Sequence, residues 1–145
     1  MKKLLAALLF GFSVFMVSCD KDDDQTLTND NIPTEIKNYV TTHFNTATIT
    51  RAVIDEDDSN DYYEITLSNG VKLDFNRNKQ IVDIESNTQL PDSVIPDAIL
   101  SYVKANYASN FITDWELQGT QQEVELNNGV ELIFTATGEF VRIDN

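Results

Sequence analysis

The stretch "YYEITLSNGVKLDFN", Tyr62–Asn76, decides the fold, because it reads as two alternating strands joined across Asn69-Gly70. Phasing selects the turn. A two-residue Asn-Gly loop would set Val71, Leu73 and Phe75 opposite polar Ser68, Thr66 and Glu64. A three-residue loop, Ser68-Asn69-Gly70, instead pairs Leu67 with Val71 and gathers Tyr63, Ile65 and Leu67 on one face with Val71, Leu73 and Phe75. Register follows the face that must be buried, so the three-residue loop with glycine in a left-handed bulge is expected. "QEVELNNGVELIF", Gln122–Phe134, repeats the arrangement, with Leu126 and Val130 flanking Asn127-Asn128-Gly129.

The repetition extends outward from both hairpins. Upstream, "IPTEIKNYVTTHF" (Ile32–Phe44) parallels "IPDAILSYVKANY" (Ile95–Tyr107), each with proline at a first helical position and an acid soon after. Ile36, Tyr39, Val40 and Phe44 recur at helical spacing, as do Ile99, Tyr102, Val103 and Tyr107. "ATITRAVI" and "NFITDWELQ" supply a strand before each hairpin, and "IVDIE" or "FVRID" one after it. The first copy holds extra residues in "DEDDSND", Asp55–Asp61, where a loop tolerates insertion. Trp115 stands where the first copy has Ala52, and parity leaves open whether it fills the core or faces out.

This predicts an α+β fold: two tandem α-β-β-β-β repeats, 32–87 and 88–145, forming one antiparallel sheet of about eight strands. Helices pack on one face. The next turn, Asn76 to Lys79, is expected to bring Val82 and Ile84 onto the buried face, matched by Val141 and Ile143. On the other face that register pairs Asp74 with Ile81 and Ile133 with Phe140.

The front of the chain carries an address. Lys2 and Lys3 precede an apolar run, Leu4–Val17, too short for a spanning helix of about 20 residues, so residues 1–18 read as a secretory signal peptide. "FMVSC" resembles the lipobox of bacterial lipoproteins, with Met16 where leucine is commonest. The resemblance implies acylation of Cys19 and anchoring to a membrane without spanning it. Cys19 is the single cysteine, so no disulfide can form within one copy. Residues 19–31 are acidic and polar and read as a flexible tether. "KDDD" resembles the export signal of Bacteroidetes surface lipoproteins. The implied location is the outer membrane of the cell envelope, surface-exposed or facing the periplasm.

Removing residues 1–18 removes two lysines and no acids, so the net charge moves from −14 to −16. Nucleic-acid phosphates repel such a chain, which excludes nucleic acid as a partner.

The order "IP" helix, "YEI" or "VEL", "NG", a strand ending in Phe, then "IVDIE" or "FVRID", resembles the PepSY-like, β-lactamase-inhibitor-like family of Bacteroidetes lipoproteins. The resemblance covers nearly all of the chain after Cys19. It implies a tandem-repeat sheet with helices on one side and an open face that grips a protein.

Catalytic chemistry finds few residues. The lone histidine, His43, lies at a helix end and corresponds to Asn106, so it reads as a polar helix-end residue. One histidine and one cysteine make no conventional zinc site. Asp55, Asp57 and Asp61 alternate like calcium ligands, but Asn60 stands where the turn glycine belongs and Thr66 where the closing glutamate belongs. No cofactor is expected, and the chain reads as a non-enzyme. The residues expected on the partner-binding face are Tyr62, Lys72, Asp74, Ile81, Ile133, Phe140 and Arg142, with an unknown protein or peptide as partner. Two alternatives stand beside this reading: an inhibitor or pro-region-like regulator of a secreted peptidase or β-lactamase, and a calcium-responsive envelope protein.

Overall fold

A computed structural model describes residues 25–56 and 62–144. The segment expected to be a signal peptide, Cys19, Asp57 and Asp61 lie outside the described residues. The strands are β1 (Gln25–Thr26), β2 (Ile49–Ile54), β3 (Tyr63–Leu67), β4 (Lys72–Phe75), β5 (Ile81–Glu85), β6 (Ile112–Gln118), β7 (Gln121–Leu126), β8 (Glu131–Thr135) and β9 (Phe140–Asp144). They form one antiparallel meander in which every strand neighbours the next in sequence. Helices α1 (Thr34–His43) and α2 (Asp97–Asn106) precede β2 and β6.

Both helices begin where the sequence places a proline. Pro33 and Pro96 are the capping residues just before the first turn, and their carbonyls accept from Lys37 N–H at 3.2 Å and Leu100 N–H at 3.0 Å. Each helix buries one stripe, Ile36 with Val40 or Ile99 with Val103. The stripes join strand residues Ile65, Leu73, Phe75, Val124, Leu132 and Phe134 in one core. Tyr39 meets Phe75 edge-on at 5.4 Å, and Tyr102 meets Phe134 edge-on at 5.4 Å, so each repeat builds the same joint.

The hairpin turns take the expected form. Leu67 N–H donates to Val71 O at 2.8 Å and Leu126 N–H to Val130 O at 2.9 Å. Gly70 and Gly129 have φ of 85° and 78°, the left-handed region that closes such a turn.

The following turns differ from expectation. Asn76 pairs with Gln80, its Oδ1 accepting from Asn78 N–H at 2.9 Å and Gln80 N–H at 3.1 Å. Phe75 then meets Ile81, and Val82 is an extra residue before Asp74 meets Asp83. In the second repeat Phe134 meets Phe140, Val141 is extra, and Ile133 meets Arg142. The expected pairs Asp74–Ile81 and Ile133–Phe140 are therefore corrected. A β-bulge in each repeat moves the register, and it carries Ile81 and Phe140 to the helix side.

The first repeat gains β1, inside the stretch read as tether. Gln25 and Thr26 pair with Ile54 and Val53, Leu27 N–H donates to Ala52 O at 2.8 Å, and the Leu27 side chain packs on the core. Trp115 is core, set between Ile84 and Val124. Its indole N–H donates to buried Gln122 at 2.9 Å, which donates in turn to the carbonyls of Thr135 and Ala136.

Two glycines with nearly equal φ, 85° at Gly70 and 84° at Gly138, make a comparison possible. A Cβ at Gly70 would meet nothing within 4 Å, whereas one at Gly138 would stand 2.7 Å from the Ala98 Cβ on α2. Gly70→Ala should cost about 1 kcal/mol from backbone strain alone. Gly138→Ala should cost roughly 2 to 3 kcal/mol, because strain and overpacking add. Urea unfolding of both variants measures the difference, and equal losses would contradict the α2 contact.

Candidate functional site

The strand register places two rows of side chains across the face turned away from the helices. One row runs Val53, Glu64, Asp74, Asp83, Glu116, Glu123, Ile133, Arg142, each residue opposite the next. The other runs Arg51, Thr66, Lys72, Glu85, Asp114, Glu125, Glu131, Asp144. Five carboxylates stand consecutively in each row. Cations occur only toward the margins, where Arg51 pairs with Glu64 at 3.3 Å, Lys72 with Glu85 at 2.8 Å and Arg142 with Asp144 at 2.8 Å.

Like charges directly opposite across strands destabilise a sheet, so this face holds unfavourable electrostatics in the folded state. Titration reflects it. Asp114 sits mid-row, and desolvation, then Asp83, Glu125, Glu85 and Glu116, push its pKa up to about 7. Glu123 is also raised, by desolvation and then Glu131, Glu116 and Asp144, with Arg142 opposing. The Lys72 ammonium is held charged above its usual range by its hydrogen bond to Glu85.

Two shallow depressions open on this face. One of about 330 Å³ lies among Arg51, Glu64, Thr66, Lys72, Asp74 and Glu85. The second, about 290 Å³, lies among Glu85, Asn87, Thr113, Asp114, Glu125 and Asn127.

Of the residues expected on the binding face, Lys72, Asp74, Ile133 and Arg142 lie in these rows. Ile133 is buried there, at 1% exposure, rather than part of an exposed apolar pair. Phe140 faces the helix side, stacked on Tyr102 at 4.6 Å and edge-on to Phe134 at 5.9 Å. Ile81 packs against the helix-side core as well. Tyr62 sits before β3, edge-on to Tyr63 at 4.8 Å, with the Arg77 guanidinium 4.3 Å from its ring centre.

Asp55 lies just past β2, its N–H donating to Tyr62 O at 3.1 Å. Among the described residues no three His, Cys, Asp or Glu side chains group closely enough to hold a metal ion. His43 lies at the exposed end of α1, its Nδ1 3.0 Å from Ser93 Oγ and its ring against Tyr39.

Of the ten consecutive carboxylates, only Asp74 is among the residues expected on the binding face from sequence. The signal is nonetheless local, since "IVDIE", "TDWE" and "EVEL" each set two acids two positions apart.

Comparison with known proteins agrees with this architecture. The profile of a family described as "Putative beta-lactamase-inhibitor-like, PepSY-like" matches residues 18–83 and again 61–142. No curated protein matches the sequence. A solved structure titled "a putative calcium-regulated periplasmic protein" from Bacteroides thetaiotaomicron is 28% identical, with a TM-score of 0.79 over 86% of this chain and 98% of its own. A "putative periplasmic protein from DUF2874 family" of Bacteroides vulgatus is 27% identical, with a TM-score of 0.76 over 86% and 99% of the two chains. A third, a periplasmic protein of unknown function from Bacteroides vulgatus, is 26% identical, with a TM-score of 0.77 over 84% and 99%.

Asp114 gives this face a pH signature. The folded state keeps the Asp114 proton up to about pH 7, while an unperturbed aspartate releases it near 3.8. Its share of stability is therefore complete below 3.8 and falls as pH rises through 7. Asp114→Asn should raise stability at pH 8 by roughly 1 kcal/mol, a figure discounted for screening at a partly buried group. Thermal melts across pH measure it, and the gain should shrink toward pH 4. A gain independent of pH would assign the effect to something other than this carboxylate.

Proposed function

The chain belongs to the PepSY-like family, and we propose that it is a non-enzymatic envelope protein that binds a cationic segment of a protein or peptide across its open sheet face. The unbroken pair of carboxylate rows carries this reading. Lysine or arginine side chains laid along the rows would relieve repulsion that the free protein sustains, so binding gains what folding gave up. The depressions beside Lys72 and Asp114 offer places for long side chains on a face otherwise shaped by strand alternation. Periplasmic relatives support the envelope as its location. Regulation of a secreted hydrolase is the narrower form of the same reading, in keeping with the family's inhibitor-like description.

The test uses the chain Asp20–Asn145, which contains every described residue and so the whole core. Lysine-rich peptides should bind it, glutamate-rich peptides of equal length should not, and affinity should fall with salt. Glu116→Lys with Glu123→Lys should weaken binding about tenfold or more. The same number of reversals on the helix side, Glu35→Lys with Asp97→Lys, should change it far less. Equal losses would mean net charge alone, and would refute a binding face.

The relative named "calcium-regulated" favours a second reading, in which calcium binds the acidic residues of this chain, with Asp55, Asp57 and Asp61 as first candidates. Calorimetry with millimolar calcium should then show heat and a raised melting temperature. Neither signal appearing would end that reading.

A further inference from the structure

The two edges of the sheet are finished differently. At one end β1 covers β2, with Gln25 and Thr26 opposite Ile54 and Val53. At the other end the outer edge of β9 carries no strand among the described residues. Internal repetition shows what that edge lacks. β5 is the counterpart of β9 in the first repeat, and its outer edge is taken by β6, which sets Ile84 against Trp115. Ile84 is fully buried, whereas its counterpart Ile143 is 46% exposed. Among the described residues four large apolar side chains are exposed, and Phe140, Val141 and Ile143 of β9 are three of them. An open edge strand with exposed apolar side chains is a template for pairing with another chain.

We propose that β9 pairs antiparallel with β9 of a second copy of this chain, in register about Ile143. Charge selects both the occupant and the register. Opposite residues in an antiparallel pair share a face, so Ile143 meets Ile143 of the second copy on the helix side. On the open side Arg142 then stands opposite Asp144 of the second copy, and the two-fold axis makes this contact twice. Those residues already pair within one chain at 2.8 Å, so the joint becomes a four-membered ring of alternating charge. Centring on Arg142 instead would oppose two arginines.

The internal β5–β6 seam offers no such match, since Asp83 faces Glu116 and Glu85 faces Asp114 across it. Adding β9 to β2 of another copy would require displacing β1 and its bond from Leu27 N–H to Ala52 O. A closed two-fold dimer leaves β1 in place. It also lays both open faces on the same side as one surface.

Sedimentation equilibrium of Asp20–Asn145 at physiological salt, where a screening length of about 8 Å damps the net repulsion, should show a monomer–dimer equilibrium. Ile143→Lys places like charges on the axis and should weaken the dimer at least about tenfold. Arg142→Asp should do the same, and Arg142→Asp combined with Asp144→Arg should restore it. These positions are exposed or half-exposed, and circular dichroism verifies that each variant is folded. Glu116→Lys with Glu123→Lys should leave the dimer intact, which separates this proposal from the cationic-partner reading. A monomer at every concentration, a dimer indifferent to Ile143→Lys, failure of the double exchange to recover, or growth beyond two copies would each overturn it.

Discussion

The pairing of Leu67 with Val71, and of Leu126 with Val130, sets the side of the sheet on which every neighbouring residue lies. Each pair closes over a three-residue loop whose glycine occupies a left-handed conformation that a side chain would strain. A slip of one residue would set Leu73 and Phe75 opposite Thr66 and Glu64, so that one strand of the pair would turn its apolar residues to solvent. From these two turns follow the helix-side core, the seam at Trp115 and the carboxylate rows opposite.

The two faces oppose one another energetically, and magnitudes decide the outcome. A buried valine, leucine, isoleucine or phenylalanine contributes about 1.5 to 3 kcal/mol by transfer from water, and the core cluster gathers 22 residues. A like-charge pair opposite another across strands costs no more than about 1 kcal/mol, less when salt screens it. The fold can therefore hold ten carboxylates on one surface without losing its register. That surplus is what makes a charged face available for binding.

Much of this was legible beforehand, for local reasons. Helical spacing at Ile36, Tyr39, Val40 and Phe44 marked α1, and apolar alternation around Asn-Gly marked both hairpins. Alternation alone sets Ile81 and Phe140 on the open face, but a bulge lies between them and the open-face residues. That bulge follows from a turn built on the Asn76 side chain, or on Thr135 Oγ1 accepting from Glu139 N–H at 3.1 Å, contacts that alternation does not encode. The fate of Trp115 was open for a related reason. Its counterpart is alanine, and only the folded seam shows the indole buried between Ile84 and Val124.

By itself the amino-acid sequence determined the duplication, the α+β class, the hairpin register and the acidic character, because each rests on periodicity or composition within a few residues. Tertiary structure alone decided that the strands join in one sequential meander, that β1 shields one edge, and that β9 is the other edge among the described residues. It also gathered carboxylates from seven strands into two rows. The physical reason is that an edge, a bulge and a cross-strand row are properties of neighbours, and neighbours exist only once the chain has folded.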